Sequence, residues 1–207
     1  MTHTLRSHVL RLSVMFTCGA ICQAAFAEPA ERVTITIRIR DSAGVPNGVL
    51  AEAQARVGRI YRQAGIETVW RQLSTPSGDV VDRDSLLTIA ILSGNQADRL
   101  KLGPSTDRVG VALSSVNTRG HVAYVFYERV ESLTGTNGLT RASVLGVAIA
   151  HEIGHLLLPY DAHSPTGVMR ASWARVDLER AQREELFFTS DQGDLMRNRW
   201  ASRHNGR

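Results

Sequence analysis

The sequence predicts an α+β fold, a mixed and twisted β-sheet with a backing helix and a second helix that bears the site, followed by one or two C-terminal helices. Three observations support this. Val33 to Arg40 alternates apolar and polar residues, and a run of helical periodicity and a further strand candidate follow it. Leu86 to Leu92 is an almost continuous apolar run. An apolar helical stretch from Val144 to Leu158 carries His151, Glu152 and His155 in the order H-E-x-x-H.

The elements follow in order. Met1 to Ala27 contains Arg6 and Arg11, then an apolar run from Leu12 towards Phe26, and closes Ala25-Phe26-Ala27. That is the layout of a secretory signal peptide with an A-x-A cleavage site. The expected division is therefore a signal peptide over residues 1–27 and a single domain over residues 28–207, exported to a periplasm or out of the cell. Cys18 and Cys22 both fall in the signal, so the mature chain contains no cysteine. Its stability must then come from a hydrophobic core rather than from disulfides.

Val33–Arg40 reads as a strand with one buried face. From Val49 to Ala64, the residues Leu50, Ala53, Val57, Ile60 and Tyr61 recur at helical spacing, and Gly65 ends the run as a C-terminal glycine would. Ile66 to Arg71 reads as the next strand, and strand–helix–strand order implies a right-handed crossover and a parallel pair. Leu86 to Leu92 is the candidate central strand, and Val109 to Leu113 a short one. His121 to Val130 has strong strand preference through Tyr124, Phe126 and Tyr127. This last strand is placed either to supply the edge on which an extended peptide would pair beside the site or to serve as an ordinary core or edge strand. His121 reads as a structural or surface histidine. Asp177 to Phe188 and Asp191 to Trp200 read as amphipathic closing helices, with Leu178, Ala181, Leu186 and Phe187 inward.

Charge excludes some classes of function. The chain has 24 basic residues; removing the two arginines of the signal leaves 22 against 20 acidic residues. Lys101 is the only lysine, and like charges form no run. Nucleic acid is not an expected partner. Nothing after residue 27 is long or apolar enough to span a bilayer, so no membrane association is expected after signal cleavage. The mature chain is expected to be a monomer.

On a helix, His151 and His155 stand one turn apart on the same face, so both imidazoles can reach one metal ion. Neutral imidazoles suit zinc, and a catalytic zinc takes three protein ligands and keeps a position for water. Glu152, next to the first ligand, is placed to act as general base on that water. The third ligand must come from outside the helix, which Pro159 ends. Asp161 and His163 are the two candidates. Imidazole is the commoner zinc partner, which favours His163, and Asp161 would then orient a ligand histidine. Trp173 is expected to pack near the site without a chemical role.

His151-Glu152-x-x-His155, a nearby third ligand and Gly167-Val168-Met169 resemble the metzincin branch of zinc peptidases, whose fuller pattern is H-E-x-x-H-x-x-G-x-x-H followed by a methionine turn. Leu158 stands where that pattern has glycine and Asp161 where it has the third histidine. Snapalysin-type peptidases are similar in placing an aspartate there. The stretch His151 to Leu158, followed by His163-Ser164-Pro165-Thr166-Gly167-Val168-Met169, more closely resembles secreted bacterial proteins with H-E-I-G-H-L-L-L and then H-S-x-x-G-hydrophobic-M. These resemblances imply a metzincin-like fold, with Met169 as a floor beneath the metal. They imply a secreted zinc metalloendopeptidase that hydrolyses peptide or protein substrates through a zinc-bound water activated by Glu152. The alternatives are an exported metal-binding or partner-binding module without turnover, and a zinc hydrolase of non-peptide amides.

Overall fold

The computed structural model describes residues 33–71, 86–102, 109–113, 121–135, 138–159 and 162–204. The expected signal peptide lies outside the described residues. Strand β1 (Val33–Asp41) buries Ile35, Ile37 and Ile39 on one face, as its period-two pattern requires. The Asp41 carboxylate then turns the chain, accepting hydrogen bonds from the backbone N–H groups of Ala43 (2.9 Å), Gly44 (3.1 Å) and Val45 (2.7 Å). Helix α1 (Asn47–Gln63) buries Ala53, Val57, Ile60 and Tyr61, and Leu50 packs against the same core. Gly65, at φ 73°, takes the left-handed conformation that ends α1 and starts β2 (Ile66–Arg71).

β1 pairs in parallel with β2 and also with β3 (Leu86–Leu92). β3 is the middle strand of a five-stranded mixed sheet in the order β2-β1-β3-β5-β4, where β4 is Gly110–Leu113 and β5 is Val122–Phe126. Only the β4–β5 pair is antiparallel. The apolar run of β3, broken by Thr88 alone, reflects burial on both faces. Leu87, Ile89 and Ile91 join the main core, whereas Ala90 and Leu92 pack with Ala97 and Phe126 on the other side. Ala97 comes from α2 (Gly94–Arg99), a helix absent from the sequence expectation. Its signal was Ser93 three residues before Gln96; the Gln96 Oε1 accepts the Ser93 N–H at 2.9 Å.

One expectation needs correcting. The stretch 121–130 is not a single strand, and β5 is not the edge beside the site. β5 stops at Phe126 and lies between β3 and β4, while helix α3 (Tyr127–Thr134) begins at the next residue. Tyr127 and Val130, three apart, are buried on one helical face, and Glu128 occupies the first turn where the helix dipole favours an acid. The aromatic residues that raised strand preference therefore straddle a boundary. The edge is β4.

Helix α4 (Arg141–Leu157) begins at Thr140, whose hydroxyl accepts the Ser143 N–H at 3.2 Å. Almost every residue in it is buried, because the sheet, α1 and the C-terminal helices surround it. Gly146 permits the close approach of α1, since a Cβ there would stand 3.0 Å from Arg56 Cβ and 3.2 Å from the Ala53 carbonyl oxygen. Leu158 turns extended (ψ 164°) ahead of Pro159, and the helix stops. Helices α5 (Arg175–Gln182) and α6 (Ser190–His204) close the fold, burying Leu178, Ala181, Met196 and Trp200. α5 is shorter than the sequence suggested, because Glu184 adopts φ 61° and the chain leaves helical geometry there. Among the described residues, no helix is long and apolar enough to cross a membrane.

Candidate metal centre

The last two turns of α4 bring His151 and His155 together, with their Nε2 atoms 3.0 Å apart. Two nitrogens bound tetrahedrally at about 2.0–2.1 Å to one ion would lie about 3.3 Å apart, so these two already converge on a common point. His163 arrives from the loop after Pro159. Its ring centroid lies 4.8 Å from that of His155 and 5.4 Å from that of His151. One ligand atom from each of the three histidines lies within 4.8 Å of the others. His163 is the exposed member of the three. Asp161 lies outside the described residues, and His121 stands apart from the cluster, its backbone carbonyl accepting the Thr88 N–H at 2.6 Å.

The tautomer of His151 is fixed from behind. Its Nδ1–H donates to the Val168 carbonyl at 2.8 Å, which leaves Nε2 as the lone-pair nitrogen facing its partners. Trp173 Nε1 donates to the same carbonyl at 3.1 Å, and its ring meets that of His151 edge-on at 5.3 Å. No sequence pattern signals this hydrogen bond, which makes Trp173 part of the scaffold that aims His151. A further anchor is Tyr61, buried in α1, whose hydroxyl donates to the Ala150 carbonyl at 2.9 Å.

Both helical histidines are held neutral. Burial pushes His151 down to about 4; the Val168 hydrogen bond opposes that shift, and the charge of His163 adds to it. His155 is also lowered to about 4, by burial first and then by the charges of His151 and His163. Neutral imidazole is the form that ligates a metal, so the three residues fit a divalent ion of the kind that nitrogen donors prefer.

Met169 is fully buried beneath α4, against the helix backbone at Gly154. A Cβ on Gly154 would fall well inside contact distance of Met169 Sδ and 3.2 Å from Phe188 Cε1. The glycine between the two histidines is thus what lets the methionine seat. The preceding turn uses Gly167 at φ 79°, where a Cβ would also meet the Phe187 carbonyl oxygen at 2.5 Å.

Glu152 is buried at the wall of a cleft of about 620 Å³ that also includes the three histidines. β4 forms the facing wall, and Gly110 brings it close. A Cβ on Gly110 would stand 2.5 Å from the Tyr124 carbonyl oxygen and 2.6 Å from Glu152 Oε1. The role of Gly110 was not visible in the sequence, because nothing local distinguishes it from a turn glycine. The fold and site thus define an α+β protein in which three histidines, close enough together to hold a metal ion, line a cleft. The chain matches no protein-family model and no curated protein.

Proposed function

We propose that the protein is an exported zinc metallopeptidase of metzincin-like character. The observation that carries this reading is the convergence of His151, His155 and His163 beside the buried Glu152, within one cleft bordered by a sheet edge. The order of the motif residues and the methionine after Gly167 add the resemblance to metzincins.

A zinc ion held by these residues supplies Lewis acidity, which lowers the pKa of a water and polarises a carbonyl. The chain's own residues do the rest. Glu152 accepts a proton from the attacking water and passes it to the departing amine. Gly110 keeps β4 close enough to confine the Glu152 carboxylate. An extended substrate adds to β4 by backbone hydrogen bonds and so lies across the histidines. Val168 and Trp173 hold His151 in the ligating tautomer, and Met169 closes the site from below.

Elemental analysis of the purified chain beside His163→Ala and Asp161→Ala, with peptide hydrolysis by a Glu152→Gln variant, tests the reading. About one zinc per chain is expected, lost in His163→Ala and kept in Asp161→Ala, with Glu152→Gln loaded but inactive. A wild-type chain that takes up no zinc after reconstitution, or a Glu152→Gln chain that still cleaves, refutes it.

A further inference from the structure

The cleft holds two arginines in different states. Arg170 is neutralised within the fold, its Nη1 lying 2.7 Å from Asp177 Oδ2. Arg129, on the face of α3 that borders the cleft with Leu133, has no such partner. Its Nη1 donates only a long bond, 3.3 Å, to Ser132 Oγ, and its Nε is shielded from water with no acceptor. Among the described residues, no carboxylate forms an ion pair with it. The acids nearest in its own helix are directed elsewhere. Glu131 pairs with Arg141 at 3.4 Å, and the Glu128 carboxylate lies against Gly94.

A guanidinium whose Nε is shielded from water without an acceptor and which has no anionic partner is costly, and structures normally supply a carboxylate or carbonyl to such a group. Here the open side is the substrate cleft. With a divalent ion bound, the described residues that line the cleft carry a net positive charge, since among them Glu152 offsets one of the cationic groups.

Resting on the peptidase reading, we infer that Arg129 receives a carboxylate of the substrate, so that the cleft selects acidic peptides. The carboxylate can be an internal Glu or Asp side chain, or the free C-terminus of the peptide. Both present the same planar acceptor to the guanidinium.

The test measures binding rather than turnover, by fluorescence anisotropy with the zinc-loaded Glu152→Gln chain, so that no peptide is consumed. Matched peptides carry an internal Glu, its Gln counterpart, or its Lys counterpart, each with a free or an amidated C-terminus. The carboxylate-bearing peptide is expected to bind about 10-fold more tightly than its neutral counterpart, and the arm that shows the difference identifies the source. Adding Arg129→Gln should abolish the preference. Adding Arg129→Glu should turn it towards the Lys peptide, a gain that misfolding does not produce. Equal affinity for all peptides, or a preference that survives Arg129→Gln, overturns this inference and leaves the peptidase reading standing. Failure to bind any peptide overturns both.

Discussion

Gly154→Ala tests whether the methionine floor is a packed contact or a coincidence of sequence. In a helix interior, alanine is normally favoured over glycine by about 1 kcal/mol. At this position the new methyl group falls well inside contact distance of Met169 Sδ and close to Met169 Cε (3.3 Å) and Phe188 Cε1 (3.2 Å). Met169 is fully buried and cannot swing into solvent. Forcing a methyl group into such packing costs about 1–3 kcal/mol, so the net effect should be a loss of up to about 2 kcal/mol. In a Met169→Ala background the nearer obstruction is gone and Phe188 Cε1, at 3.2 Å, remains, so the same substitution should be neutral or stabilise by up to about 1 kcal/mol. Urea denaturation of the metal-free chain and the three variants closes the double-mutant cycle. The expected coupling is about 1–3 kcal/mol. A coupling below about 0.5 kcal/mol, with Gly154→Ala stabilising both backgrounds, would refute the packing argument.

Four other outcomes are expected. Gly110→Ala should displace Glu152 or β4 and lower kcat/KM about 100-fold while zinc content is unchanged; activity within twofold of wild type would count against the close approach. Zinc at a hundred times its Kd should stabilise the chain by about 2.7 kcal/mol, raising Tm by roughly 5–10 °C in calorimetry, and His163→Ala should shrink that shift. Gln192→Ala should weaken zinc binding about 10-fold in chelator competition, because the buried Gln192 Nε2 donates to the Ala162 carbonyl (3.3 Å) and Ser164 Oγ (3.1 Å) on either side of His163; unchanged affinity would show that this brace is idle. In the metal-free protein, His151 and His155 titrate near 4 when folded and near 6.5 when unfolded, so the unfolded chain binds protons that the folded chain refuses. Stability should therefore fall as pH drops from about 6.5 to about 4 and the histidine contribution should level off below that, a slope that His151→Gln should reduce in denaturation at stepped pH.

The sheet was readable wherever burial imposed a simple period. β1 alternates because one face is covered, and β3 is apolar at all but Thr88 because α2 covers the other. The helical pair of histidines was equally plain, since a four-residue spacing on an apolar helix has one geometric meaning. What escaped the sequence depended on contacts between distant segments. Whether residues 121–130 form one strand or a strand and a helix turns on Val130 packing inward, which strand propensity does not register. That β4 rather than β5 forms the edge depends on chain order in space, and four residues of β4 carry too little pattern to announce it. Gly110 and Gly154 look alike in the sequence, yet each is fixed by distant neighbours, Gly110 by the Tyr124 carbonyl and Glu152, Gly154 by Met169 and Phe188.

The loop that delivers His163 shows how a site can tolerate a departure from a familiar spacing. Leu158 and Pro159 force the chain out of helix with no glycine to ease the bend, so the third histidine comes eight residues after His155. A longer loop costs more conformational freedom when it is ordered, and that cost has to be met by contacts elsewhere. Here the contacts converge on one short segment. Ser164 N–H donates to the Met169 carbonyl at 2.9 Å, Val168 N–H donates to the Phe187 carbonyl at 3.0 Å, and the Val168 carbonyl receives both His151 and Trp173. The carbonyl that fixes one candidate ligand therefore belongs to the loop that carries another. Placement of His163 and orientation of His151 are consequently a single structural event, and a change that loosens the 163–169 loop should disturb two candidate ligands at once.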